Sequence, residues 1–131
     1  MPAVERILVA FDDPTTETLG RAADLAEALG ARLIVTSVAA AADAGEEEEA
    51  ERFARGRLEQ ARGYLEGRGL TAELVPSLGH PAEAIVKLAR ERNVDLIVVG
   101  TRRKRFFERL VEGSVLQDVL RHSTCDVLVV Y

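Results

Sequence analysis

Cysteine, histidine and long apolar runs are all scarce in this chain. Cys125 is the only cysteine in 131 residues, so an internal disulfide is excluded and a reducing compartment fits. Beside it stand only two histidines, His80 and His122, and no ligand spacing links the three into a metal site. No apolar run approaches the ~20 residues of a membrane span. The opening MPAVERILVAFDD places an acidic residue where a secretory leader wants basic ones, and its apolar run is too short for such a leader. The expectation is a cytoplasmic protein with no membrane association. A formal net charge of −5 implies no broad basic surface, which argues against a general nucleic-acid binder.

Several signatures of chemistry are missing too. A Rossmann fingerprint needs glycines directly after the first strand, and FDDPTTETLG has none before Gly20. No Gly-Lys-Ser/Thr occurs, so there is no Walker loop. No serine sits on a Gly-flanked elbow, which removes Ser-His-Asp hydrolysis. The acidic pair Asp12-Asp13 invites comparison with a phosphoacceptor receiver domain, but VPSLGHP carries no acceptor aspartate at the end of the third strand. An adenylyl-transfer signature of the His-x-Gly-His type after strand one is also absent.

What is present is a regular alternation. With 47% hydrophobic and 30% charged residues, the chain reads as one globular domain, residues 1–131, with a core of its own. RILVAF (6–11), RLIVTSV (32–38), TAELVPSL (71–78), DLIVVG (95–100) and DVLVVY (126–131) are short β-rich runs. Between them lie helical patterns. The first carries Leu19, Ala22, Ala26 and Leu29, closed by Gly30 as a C-cap. The second has an acidic start, EEEE (46–49), and a stripe of Ala54, Leu58, Ala61 and Leu65. The third, PAEAIVKLARERN (81–93), opens on Pro at N1. The fourth, SVLQDVLRHS, presents Val115, Val119 and Leu120. Pro76 demotes the third strand to a sheet edge, because proline cannot donate to a ladder.

Five strands alternating with helices predict an open parallel α/β sheet, doubly wound with helices on both faces. Ligands bind such sheets outside the carboxyl ends of the strands. That directs attention to Phe11–Asp13, Val38–Ala40, Gly79–His80 and Gly100–Lys104. The last opens GTRRKRFFERLVEGSV (100–115), a basic loop in an acidic chain. Two readings of it stay open on the residues alone. Gly100 and the Gly113-Ser114 pair at a helix start could let backbone N–H groups cradle a phosphate. Equally, Gly100 could only turn the chain, Ser114 could only be an N-cap worth ~1 kcal/mol, and Arg102 to Arg105 could be a solvated face. Of the remaining singular residues, Cys125 reads as a small apolar group, His122 as a dipole partner in a last helical turn, and His80 as a strand-end residue near the site.

Taken whole, the sequence resembles the universal stress protein family. The family's nucleotide-binding members carry Gly, two residues, Gly, nine residues and Gly-Ser/Thr. Here Gly100, Thr101-Arg102, Arg103, residues 104–112 and Gly113-Ser114 follow that frame with one substitution. RILVAFD resembles the family's first strand ending in aspartate, GHPAEAIVKLA its Gly-x-Pro helix entry, and VLRHSTCDVLVV its last helix and strand. The resemblance implies a Rossmann-like sheet of the adenine nucleotide alpha hydrolase type, with strand order 3-2-1-4-5. It also implies a pocket for ATP or another adenine nucleotide, built from Ala10, Phe11, Asp12, Val38, Gly100, Thr101, Arg103, Gly113, Ser114 and Val115. Within it, Asp12 matches the aspartate on the ribose hydroxyls and the main chain of Val38 meets the adenine. Gly100, Gly113, Ser114 and the amide of Val115 match the phosphate cradle. Apart from the resemblance, the two carboxylates of Asp12-Asp13 could bind Mg²⁺ with a triphosphate, a weak signal on their own.

Two departures from the family pattern stand out. Pro14 replaces a serine common two residues after the aspartate, and Arg103 replaces the motif's second glycine. Where that position requires φ > 0, a non-glycine residue costs on the order of 1 kcal/mol. The expectation is therefore a small regulatory protein that binds an adenine nucleotide, weakened by Arg103, and that is no enzyme beyond slow ATP hydrolysis. It would form a homodimer through the apolar strand 126–131 and act on a regulatory partner the sequence does not identify. The rival reading keeps the fold and the dimer but not the nucleotide, as an interaction module.

Overall fold

The computed structural model describes residues 3–11, 16–40, 46–100 and 115–131. Five strands form one sheet: β1 (Arg6–Ala10), β2 (Arg32–Ala39), β3 (Glu73–Leu78), β4 (Leu96–Gly100) and β5 (Asp126–Val130). All pairings are parallel, in the order β3-β2-β1-β4-β5. Four helices are described: α1 (Glu17–Leu29), α2 (Glu47–Gly67), α3 (Pro81–Glu91) and α4 (Val115–His122). The expected doubly wound sheet and its strand order are present, with Pro76 on an edge strand.

Both sheet faces are covered, which is why the strands read as unbroken apolar runs rather than alternating ones. Ile7, Val9, Leu33, Val35 and Val98 point into one layer with Leu19, Ala22, Ala23 and Ala26 of α1 and Leu58, Ala61 and Leu65 of α2. Leu8, Ile34, Ile97 and Val99 point the other way, onto Ala82, Ile85, Leu88 and Ala89 of α3 and Val119 of α4. A third, small cluster of Ala39, Ala50 and Ala54 seals the start of α2 against the end of β2.

Helix ends follow local chemistry. Gly30 closes α1 at φ 64°, and the amides of Gly30 and Ala31 bond the carbonyls of Glu27 and Ala26. This pair of bonds satisfies carbonyls that would otherwise be orphaned. Pro81 opens α3 as expected. Between α1 and α2 the contact is close: a Cβ on Gly20 would lie 2.8 Å from Tyr64 Oη. Arg68 fastens the same pair, donating to the Gly20 carbonyl, to Asp24 Oδ1 at 2.6 Å and to Glu27 Oε1 at 3.1 Å. Its hydrogen bonds to Asp24 and then to Tyr64 hold its pKa above the ordinary arginine value.

Some expectations need correction. Leu29 is 50% exposed and Leu120 51% exposed, so neither belongs to its helix's buried stripe. At 3.6 residues per turn, Leu29 lies about 80° around the helix from Leu19, and Ala23 fills that inner position instead. Leu120 is rotated about 100° from the buried Val119. Strand ends shift as well: β3 starts at Glu73 rather than 71, and β4 at Leu96 rather than 95. Asp95 is occupied otherwise, its Oδ2 accepting the amides of Glu5 at 2.8 Å and Arg6 at 2.9 Å. α3 stops at Glu91 because Asn93 turns the chain at φ 52°.

Candidate functional site at the carboxyl ends of the strands

Ala10, Val38 and Gly100 lie at the carboxyl ends of β1, β2 and β4, and Val115 is the first residue of α4. Phe11 follows β1 directly and is buried, at 4% exposure. The sheet order sets β1 between β2 and β4, so Ala10, the last residue of β1, lies between Gly100, the last of β4, and the end of β2, where Val38 is the penultimate residue. Asp12, Asp13, Thr101, Arg103, Gly113 and Ser114, with Pro14 and the rest of the basic run, lie outside the described residues.

The backbone that leads into the site is held by hydroxyls as well as by the ladder. The Phe11 amide donates to the Thr36 carbonyl at 2.7 Å, carrying the β1–β2 pairing one residue past the strand. Thr36, fully buried, donates its hydroxyl proton to the Val75 carbonyl at 2.7 Å. Its oxygen also lies 2.7 Å from Ser77 Oγ. Since the threonine has a single proton, Ser77 is the donor in that second bond. Thr36 therefore fixes β3 with its side chain and the exit of β1 with its carbonyl. The sequence shows this residue only as a polar interruption in an apolar strand.

Gly100 has a role the sequence does not reveal. A Cβ there would collide with Thr18 Oγ1 and sit 3.4 Å from Thr18 Cβ. Its φ is not in the left-handed region, unlike those of Gly30, Gly69 and Gly79. Glycine is thus required for the approach of α1 to the end of β4, not for a turn. At the end of β3, Gly79 does need its freedom, since its φ of 109° suits only glycine. Its amide reaches the Ala39 carbonyl at 3.0 Å, and His80 then caps α3 with extended backbone and no side-chain hydrogen bond.

The remaining singled-out residues lie elsewhere. His80 and His122 are both exposed and line a groove of about 590 Å³ between α3 and α4, with Glu83 and Asp118. Among the described residues no group of three or more His, Cys, Asp or Glu side chains could hold a metal ion. Cys125 is half-buried beside α3 and α4, its Sγ 3.6 Å from Ser123 Oγ. No helix among the described residues is long and apolar enough to cross a membrane.

With that geometry in place, residues 3–131 match the model of the universal stress protein family. This chain belongs to the universal stress protein family. Among curated relatives, the universal stress protein YxiE of Bacillus subtilis is 40% identical over 73 residues, 56% of this chain and 49% of YxiE. The matched part spans about half the length of such relatives. Solved structures align more completely. A universal stress protein in complex with cAMP superposes with a TM-score of 0.82 at 26% identity, covering 99% of each chain. The universal stress protein of Archaeoglobus fulgidus in complex with dAMP gives 0.73 at 26% identity, covering 97% of this chain and 98% of its own.

Proposed function

We propose that this universal stress protein is a small regulatory module that binds an adenine nucleotide at the carboxyl ends of β1, β2 and β4. The observation that carries the reading is the pair of near full-length structural relatives solved with cAMP and with dAMP. Both ligands join an adenine to a ribose-type sugar and a phosphate. In the proposed site the main chain at Val38 faces the adenine, and Asp12 orients the sugar hydroxyls. Ala10 and Phe11 form the floor at the end of β1. Gly100, Thr101, Arg103, Gly113, Ser114 and the Val115 amide hold the phosphates, the last at the start of α4, where the helix dipole favours negative charge.

ATP, with Mg²⁺ near the Asp12-Asp13 pair, is the finer form of this proposal, and Arg103 is the residue that tunes it. The protein acts by binding, with turnover slow at most. Residues 1–131 form one domain in this reading, and a single cysteine suits a cytoplasmic setting. Calorimetric titration with ATP, AMP, cAMP and GTP tests the class of ligand. Adenine compounds should bind and GTP should not; equal heats for all four, or none, would sink the reading. Arg103→Gly should tighten ATP binding, and a weaker variant would instead make Arg103 a phosphate clamp.

A second element of the proposal is a homodimer through 126–131. It is supported by β5 standing at a sheet edge with Val127, Leu128 and Val129 only half-buried. Such an edge offers unpaired N–H and C=O groups to a copy of itself. Sedimentation should show a wild-type dimer and a Val129→Pro monomer, with circular dichroism confirming that the variant is folded.

A further inference from the structure

The opposite end of the sheet carries an anion site, we infer, fitted to a small phosphomonoester. A cleft of about 650 Å³ lies there, between the amino ends of β1, β2 and β3 and the segment that links α2 to β3. That volume is in the range of small-molecule sites. Its charged lining is Arg6, Arg32, Arg92 and Glu73. Three guanidiniums against one carboxylate leave two positive charges in excess, in a chain whose net charge is −5.

Register brings two of these arginines together. Arg6 and Arg32 are direct partners in the β1–β2 ladder. Each precedes by two a residue of the α3-facing layer, Leu8 and Ile34, so strand alternation puts both side chains on that same face. Adjacent strands lie about 4.8 Å apart, and like charges directly opposite each other are destabilising. Cross-strand pairs usually avoid this arrangement or neutralise it.

Neutralisation within the chain is incomplete. Arg92 is engaged, its Nε donating to both Glu73 oxygens at 3.0 and 3.2 Å. Arg6 approaches Glu5 only at 3.9 Å, and that glutamate side chain is 71% exposed. Arg32 forms no ion pair among the described residues. The nearby Asp95 carboxylate keeps its charge while its Oδ2 accepts the Glu5 and Arg6 amides, but it does not line the cleft. A dianion would supply what is missing. A phosphomonoester carries about −1.5 to −2 charges at pH 7, and guanidinium forks match its oxygens two at a time. Leu70, Thr71 and Ala72 form a wall for the organic part of such a molecule. This site is separate from the proposed nucleotide pocket, which lies at the other ends of the strands.

The test is a titration of ¹⁵N-labelled full chain with phenyl phosphate at constant ionic strength, followed by amide shifts. Saturable shifts are expected at residues 31–33 and 69–73. Arg32→Gln should weaken binding at least tenfold, and Arg32→Lys less, because it keeps the charge and loses the fork. Without phosphate, Arg32→Gln should melt no lower than wild type, since one of two repelling charges is gone. If it fails to fold, Arg6→Gln carries the same comparison. Shifts matched by sodium chloride, shifts confined to the carboxyl end, or an Arg32→Gln affinity within twofold of wild type would overturn the site. Inorganic phosphate binding as tightly as phenyl phosphate would overturn the monoester assignment.

Discussion

At the carboxyl end of the sheet, Gly100 touches Thr18, Gly79 turns at φ 109° and Phe11 is buried behind β1. At the amino end, Asp95 collects two backbone amides while Arg6 and Arg32 stand side by side. One end is shaped by the absence of side chains, the other by charged ones. The difference shows how a parallel sheet divides its labour. Where the backbone itself must come close to something, substitutions meet hard sterics. Where side chains only solvate or cap strand starts, substitutions meet softer electrostatics.

The largest expected effect is at Gly79. Gly79→Val places a β-branched residue at φ 109° and should cost about 2–3 kcal/mol in urea unfolding. A loss below about 1 kcal/mol would mean the β3–α3 turn can relax, and the steric picture of this end would fail. Next comes Asp95→Ala, which strips two amides of their acceptor and should cost about 1–2 kcal/mol. Asp95→Asn should restore part of that, because its amide oxygen still accepts. If alanine and asparagine cost the same, the carboxylate matters through charge rather than through hydrogen bonding.

Gly100→Ala should cost about 1 kcal/mol through the clash with Thr18. In a Thr18→Ala background most of that cost should vanish, and a double-mutant cycle reads the coupling. Additive losses would show that Gly100 is needed for some other reason. The smallest effect has the opposite sign. Ser37 is 1% exposed, lies opposite Pro76, and its Oγ has no hydrogen-bond partner among the described residues. Alternation turns it toward the α1/α2 layer, whose buried side chains are apolar. Ser37→Ala should therefore raise stability by up to about 1 kcal/mol; a loss would reveal a partner for the hydroxyl.

Much of the fold was legible because its local and global signals agree. Strands buried on both faces appear as apolar runs, Gly30 and Pro81 mark helix ends, and Pro76 marks an edge. The errors come from geometry that a stripe does not carry. Leu29 and Leu120 fit an apolar pattern yet have rotated off the buried face. Of the candidate site, the strand ends at Phe11, Val38 and Gly100 follow from the sheet rule alone, and Ala10 from the family resemblance. Thr18 and Thr36 do not, because their partners are distant in sequence and a threonine announces neither a close approach nor a hydroxyl chain. The basic run and the glycine-serine pair at 113–114, read from the family pattern, lie outside the described residues.

The strand order also has a consequence for how the chain is made. β1 pairs on one side with β2, the next strand in sequence, and on the other with β4, where Asp95 just before the strand accepts the amides of Arg6 and Glu5, 89 and 90 residues away. During synthesis at about 5–20 residues per second, the gap between the end of β2 and the end of β4 corresponds to roughly 3–12 s. Through that interval Ile7, Leu8 and Val9 have one partner and one open edge. The most deeply buried strand of the finished protein is thus, on the ribosome, the segment most in need of protection from pairing with a neighbouring chain.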